Sequence, residues 1–199
     1  MFAEHVQPTR AEQKRRTAAR ITDAAARLFT EQGFQGTTVR QIAAAAGVSV
    51  GAVMAVGDKE SLLSLVYDRA IAARVPAPPT AGSTTSAVDY LSHYFAPFLD
   101  LFTENEELAR AYFRALTRGR PENAANAALG TLRTLTESNL TTAMVNAGTQ
   151  DAHARLGAQV MFASYLGELM LLAAGTTDPR QTASRIRATA EFITSQGRN

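Results

Sequence analysis

Gly33-Phe34-Gln35-Gly36-Thr37-Thr38-Val39-Arg40-Gln41-Ile42-Ala43, then Gly47-Val48-Ser49-Val50-Gly51, then Gly57-Asp58-Lys59-Glu60-Ser61-Leu62-Leu63, is the stretch that decides the fold of this chain. It reads as a short helix, a glycine turn and a second short helix. Thr38 and Gln41 stand at capping-box spacing, hydroxyl to the third amide and side-chain amide back to the cap. Gly47 permits the positive φ of a sharp turn. Val48 is placed to plug the corner, and Ser49 to cap a helix over about 50–56. This is the pattern of a helix-turn-helix, here about 37–56, whose second helix lies in a DNA groove.

Working outward, a first helix is expected over 10–32. Its apolar positions Ile21, Ala24, Ala25, Leu28 and Phe29 recur at three and four and give one buried stripe. Gly33 ends it. Asp58 caps a helix running to about Arg74. Pro76-Ala77-Pro78-Pro79-Thr80-Ala81-Gly82-Ser83 cannot continue a helix, which sets the expected domains at 1–75 and 76–199. Further helices are expected at about 85–103 with a kink at Pro97, 105–118, 122–146, 151–174 and 178–195. Gly119-Arg120-Pro121 breaks the second of these. The last opens with Asp178 as cap, Pro179 in the first turn and Gln181 closing a box-like pair. No sustained period-2 alternation appears, so the fold class is all-α with about nine helices.

Composition bounds the function. The chain has no cysteine, which excludes a disulfide framework, a thiolate zinc site and a cysteine nucleophile, and fits a cytoplasmic location. Met1-Phe2-Ala3-Glu4-His5 lacks the basic-then-apolar order of a signal peptide. The apolar run Leu156 to Ala174 is interrupted by Gln159, Ser164 and Glu168, so a buried helix is expected there and no membrane partner. Residues 1–75 hold ten Lys/Arg against seven Asp/Glu, and the surplus gathers in Arg10, Lys14, Arg15, Arg16 and Arg20. A basic first quarter on a near-neutral body points to a polyanion at one end, or to a solvated helix face. His5, His93 and His153 are scattered, and no phosphate-binding glycine loop or metal spacing appears; no enzyme, cofactor or metal is expected.

The first 75 positions resemble the N-terminal domain of the TetR family of transcriptional regulators. The resemblance rests on Ile21-x-x-Ala24-Ala25-x-x-Leu28-Phe29, Gly33-Phe34, Thr37-Thr38-Val39-Arg40-x-Ile42-Ala43, Ala46-Gly47-Val48-Ser49-x-Gly51 and Asp58-Lys59-Glu60-x-Leu62-Leu63. It implies a DNA-contact set of Lys14, Arg16, Thr38, Arg40, Ser49, Val50, Gly51, Ala52, Met54 and Lys59. Arg40 has the planar fork for a guanine edge or a phosphate, with an ion pair to Glu31 or Glu60 as the plain alternative. Lys59 stands in a helical first turn, where the dipole disfavours a cation; the resemblance makes it a phosphate ligand. The chain departs from the family in the recognition helix. Where the family usually reads a small residue, Leu, Tyr, a variable residue, His and Phe, this chain reads Ala52-Val53-Met54-Ala55-Val56, then Gly57. Met54 takes the tyrosine position, no histidine is present, and Val56 is expected to take the core role of the phenylalanine.

The rest of the chain matches the family as a helical ligand-binding and dimerisation domain. His93, Tyr94, Phe98, Phe102, Tyr112, Phe113, Leu116 and Tyr165 are the expected lining of a pocket for a small apolar or aromatic effector; a plain helical core needs the same side chains. Leu156, Met161, Phe162, Tyr165, Glu168, Leu169, Ile186 and Ile193 are the expected homodimer interface, because a helix apolar nearly all round must be covered on two sides. Gly157, Ala158 and Gly167 would allow close approach, and Glu168 is expected to pair with Arg185 or Arg187. The leading reading is a ligand-responsive homodimeric repressor on a palindromic double-stranded DNA operator. The alternative is a helical sensor or interaction protein of this fold that has lost specific DNA recognition.

Overall fold

A computed structural model of the chain describes residues 9–80, 82–118 and 124–196, with 118 and 124–128 described for the backbone only. The leading Met1–His5, the Gly119-Arg120-Pro121 break and the expected helix start at Glu122 lie outside the described residues. The helices are α1 (Arg10–Gly36), α2 (Val39–Ala46), α3 (Val50–Met54), α4 (Lys59–Ala72), α5 (Ala87–Tyr94), α6 (Ala96–Glu104), α7 (Glu106–Arg118), α8 (Ala124–Asn146), α9 (Asp151–Ala173) and α10 (Pro179–Gln196). No strand occurs among the described residues. The chain divides into two compact units, 1–66 and 67–199. The division falls inside α4, not at the proline linker. The reason is aromatic: Tyr67 stacks on Phe102 at 5.4 Å and on Tyr112 at 4.5 Å, and so belongs to the second core.

In the first unit, Thr9 caps α1 with a box closed by Glu12. Ile21, Ala25 and Phe29 of this stripe, Ile42 of α2, Val53 of α3, and Leu62 and Leu63 of α4 are all wholly removed from water. α1 bends at Gly33, whose φ of 73° is open to glycine and costly to other residues. The bend tucks the Phe34 ring beside Phe29 at 5.5 Å. Thr37 closes it from beneath, its hydroxyl donating to the carbonyls of Leu28 and Gly33.

In the second unit, the single helix expected over 85–103 is two. Pro97 lacks the N–H that would reach back to His93, so α5 stops at Tyr94 and α6 restarts with the proline at its first turn. Tyr94, Phe95, Phe98 and Tyr165 form one buried aromatic cluster, and Tyr67, Phe102 and Tyr112 a second. Asp178 caps α10 through the amides of Arg180 and Gln181, while the Gln181 side chain accepts from Thr177 instead of closing a box.

The expected dimer set is corrected by α9. Met161, Phe162, Tyr165 and Leu169 of α9, with Ile186 and Ile193 of α10, are buried within their own chain. So is the close approach at Gly157: a Cβ there would lie 2.5 Å from Ile193 Cγ2 and 2.9 Å from Met144 Cε. The outward face keeps Leu156 of the expected set and otherwise runs through Val160, Ala163, Gly167 and Met170, and Phe192 of α10 is exposed as well. Leu156, Met170 and Phe192 are 59, 58 and 67% exposed. Glu168 sits between the two faces and pairs with Arg185 of its own chain at 3.5 Å, too long for a hydrogen bond.

Candidate nucleic-acid interface and ligand cavity

The reading face is built from the two helix starts. The Thr38 hydroxyl accepts the Gln41 amide at 3.3 Å, and Gln41 Oε1 accepts the Thr38 amide at 2.8 Å. The Ser49 hydroxyl accepts the Ala52 amide at 3.1 Å. Between them Gly47 turns through the left-handed region, at φ 62° and ψ 43°. The Arg20 guanidinium of α1 donates to the carbonyls of Ala46 and Gly47, which the end of α2 would otherwise leave open. One cation of the basic first helix is therefore a strut for the turn.

Of the expected DNA contacts, Lys14, Arg16, Thr38, Arg40, Ser49, Val50, Gly51 and Met54 are exposed and Ala52 is partly so. Arg40 makes no ion pair with Glu31 or Glu60, and Lys14, Arg15 and Arg16 are also unpaired among the described residues. Lys59 differs. Its ammonium donates to the carbonyls of Phe34 at 2.9 Å and Thr37 at 3.2 Å, and lies 4.3 Å from the centre of the Phe34 ring. The cation that the α4 dipole disfavours is thus held by the carbonyl end of α1. On α3, Val53 is the buried residue and Val56 only partly covered, so Val53 carries the core role expected of Val56. Val50 and Met54, 43 and 51% exposed, face outward with no polar side chain beside them on the helix.

Residues 21–56 match the sequence profile of bacterial regulatory proteins of the tetR family. Over these residues the chain is similar to the DNA-binding domain of the TetR family. The family is one of DNA-binding transcription regulators. Among curated proteins, none matches the chain by sequence. Three solved TetR structures share its fold. A regulator from Rhodococcus sp. RHA1 superposes at a TM-score of 0.71 and 17% identity, over 92% of this chain and 97% of its own. One from Streptomyces coelicolor gives 0.65 and 20%, over 90% and 98%. The Thermus thermophilus repressor FadR, solved with lauroyl-CoA, gives 0.67 and 23%, over 92% and 95%.

Against this TetR frame the expected ligand set divides. Tyr94, Phe98 and Tyr165 are core: Phe95 and Tyr165 stack at 4.2 Å, and the Tyr94 hydroxyl reaches Thr136 at 3.3 Å. His93 is exposed, with Nδ1 on the Asp89 carbonyl. Phe102 and Phe113 line a small cavity of about 160 Å³, and Leu116 lines neither this cavity nor the larger one beside Tyr112. Tyr112 lines a larger one, about 330 Å³, together with Ile71, Val75, Leu129, Leu132 and Leu135. Among the described residues that line it, Asp68 is the only ionisable side chain apart from the Tyr112 phenol. The Tyr112 hydroxyl donates to Asp68 Oδ1 at 3.2 Å. Burial pushes the Asp68 carboxyl up to about 6, against the lesser downward pull of that hydrogen bond. Asp68 escaped the sequence reading; its one signal was a lone acid among Val66, Tyr67 and Ile71. The Tyr165 hydroxyl is fully buried and has no hydrogen-bond partner among the described residues.

Proposed function

We propose that this chain is a homodimeric transcription regulator, a repressor, that grips a palindromic operator with two copies of its N-terminal unit and answers to a small molecule in the cavity beside Asp68. The observation that carries the reading is the combination on one unit of two capped helix starts, Thr38 and Ser49, with Lys14, Arg16 and Arg40 exposed and unpaired among the described residues. Open amides at a helix start attract phosphate, and cations that find no carboxylate in their own fold are free for a polyanion. A salt-titrated binding assay on the DNA upstream of the protein's own gene tests it. Nanomolar, salt-sensitive binding to one site above the random-sequence background supports it; equal binding to any duplex refutes it.

The second subunit covers the stripe of Leu156, Val160, Met170 and Phe192, since a contiguous apolar face is a candidate interface and a two-fold lets the same patch serve both copies. α9 is also long and apolar enough to cross a membrane, at a mean hydropathy of 1.4. Its opposite face is packed into the helical core, so a partner helix fits it better than lipid. A ligand that binds two arrangements of the dimer unequally would change how the heads match the half-sites. One observation favours the second reading, a sensor without specific DNA recognition: the outward face of α3 offers only Val50, Gly51, Ala52 and Met54, and base edges are read mainly by donors and acceptors.

A further inference from the structure

We propose that the cavity beside Asp68 takes a small hydrophobic cation, an amine or quaternary ammonium on an apolar body, with the Asp68 carboxylate as its counter-ion. The inference rests on the reading of this cavity as a ligand site. Among the described residues its wall is aliphatic apart from Asp68, Tyr112 and Thr131. Among the described residues no Lys, Arg or His pairs with Asp68, and its one hydrogen bond comes from a neutral phenol. Arg74, on the same stretch of chain, donates to the Ala70 carbonyl instead. A half-buried carboxylate with one neutral donor is poorly compensated, and burial raises its protonation point accordingly. A cation would supply the missing charge while its apolar body covers Ile71, Leu129 and Leu132. The Tyr112 ring adds a second attraction, since an aromatic face draws a cation. The same carboxylate repels an anion, so a ligand such as the lauroyl-CoA of the Thermus thermophilus structure is a poor match here. The volume, about 330 Å³, is at the small end for ligand pockets. It suits a single ring with a short chain.

Phenylbutylamine, phenylbutanol and phenylbutyrate share a body and differ in charge at neutral pH. Their binding to the full chain is measured by calorimetry, and each is added to the complex with upstream DNA. The cation should bind on the order of tenfold more tightly than the alcohol, since a charge-assisted contact replaces a neutral one. The anion should bind most weakly. Asp68→Asn keeps the shape and the acceptor for Tyr112, and should bring amine and alcohol to within about twofold. Equal binding of amine and alcohol to the wild type overturns the proposal, as does failure of all three to bind. So does an undiminished preference for the amine in Asp68→Asn. The wild-type comparison needs no variant to fold. The DNA readout separates the two ideas. An amine that binds through Asp68 without changing DNA affinity keeps the cation site and removes the effector reading. A neutral probe that binds equally and shifts DNA affinity does the reverse.

Discussion

Lys59→Met separates a structural cation from a DNA-binding one. Methionine keeps the apolar stem over Phe34 and deletes the charge. What is lost is two ammonium-to-carbonyl hydrogen bonds, to Phe34 at 2.9 Å and Thr37 at 3.2 Å, and a cation over a ring at 4.3 Å. Hydrogen bonds involving a charged group contribute ~1.5–3 kcal/mol when well buried, and exposed cation–π contacts ~0.5–1. Lys59 is only half-buried, so the low end applies. Removing a cation from the first turn of α4 returns ~0.3–1 kcal/mol of dipole energy, and rotamer entropy returns about as much. The net loss is about 2 kcal/mol. For a chain of this size unfolding as one transition, that lowers the melting temperature by roughly 4–8 °C. Calorimetry of the full chain measures it. DNA binding should weaken only as far as the Phe34–Thr37 bend loosens, with the slope of log affinity against log salt unchanged within about half a unit. An unaltered melting temperature together with a slope lower by about two units, one from each head, would mean that Lys59 serves a phosphate, and the carbonyl contacts would be incidental.

Arg40→Ala should behave in the opposite way: an unchanged melting temperature, because Arg40 is exposed and unpaired among the described residues, and a salt slope smaller by about 2 if it meets a phosphate on each of the two heads, at about 0.9 per phosphate. If it reads a base instead, preference at one operator position relaxes by about 1–3 kcal/mol, seen in a panel of single-base operator variants. Phe192→Asp should leave the helical signal intact and split the dimer. Each Phe192 offers ~1.5–3 kcal/mol on burial, and the two copies in a symmetric interface together raise the dissociation constant roughly 10²- to 10⁴-fold, read by sedimentation. Leu169→Arg, by contrast, strikes a buried side chain and should unfold the helical unit. Without ligand, Asp68→Asn should be the more stable protein at neutral pH by ~1–2 kcal/mol, a figure already discounted for its half-exposure. The sign follows from a folded value of about 6 against 3.8: the wild type holds a proton when folded that it has released when unfolded, so its stability falls from about pH 4 to about pH 6. Urea denaturation across that range should find the two proteins alike near pH 4 and diverging above it.

Much of this was legible because it is local. The period of Ile21, Ala25 and Phe29, the caps at Thr38, Ser49, Asp58 and Asp178, and the left-handed Gly47 each depend on neighbours within four residues. α9 marks where that information ends. Met161 and Val160 are adjacent and equally apolar, yet one is core and the other exposed. A helix that is apolar all round has no preferred face, and only the positions of α8 and α10 decide which side they cover. The role of Lys59 depends on carbonyls 22 and 25 residues away, and the partner of Asp68 lies 44 residues on. No spacing rule reaches that far. Pro97 was visible as a kink, but whether α5 bends or ends there is set by the packing of Tyr94 and Phe95.

The cations of the reading head divide into those that hold the fold and those left for DNA, and the division limits what this protein can do. Arg20 is committed to Ala46 and Gly47, and Lys59 to Phe34 and Thr37. Arg10, Lys14, Arg15, Arg16, Arg27 and Arg40 remain exposed and unpaired among the described residues. If Lys14, Arg15, Arg16 and Arg40 on each of two heads meet phosphate, they give a salt slope of about −7. That is ample for affinity, yet phosphate contacts carry no sequence information. Discrimination must then come from Arg40, from thymine methyl groups against Val50 and Met54, and from the bending and groove width of the operator. A head of this kind should prefer its operator over random duplex by less than about 10⁵, low in the range of specific regulators. The missing specificity would have to come from two heads acting together, which makes the α9–α10 face as important to recognition as the helix-turn-helix itself.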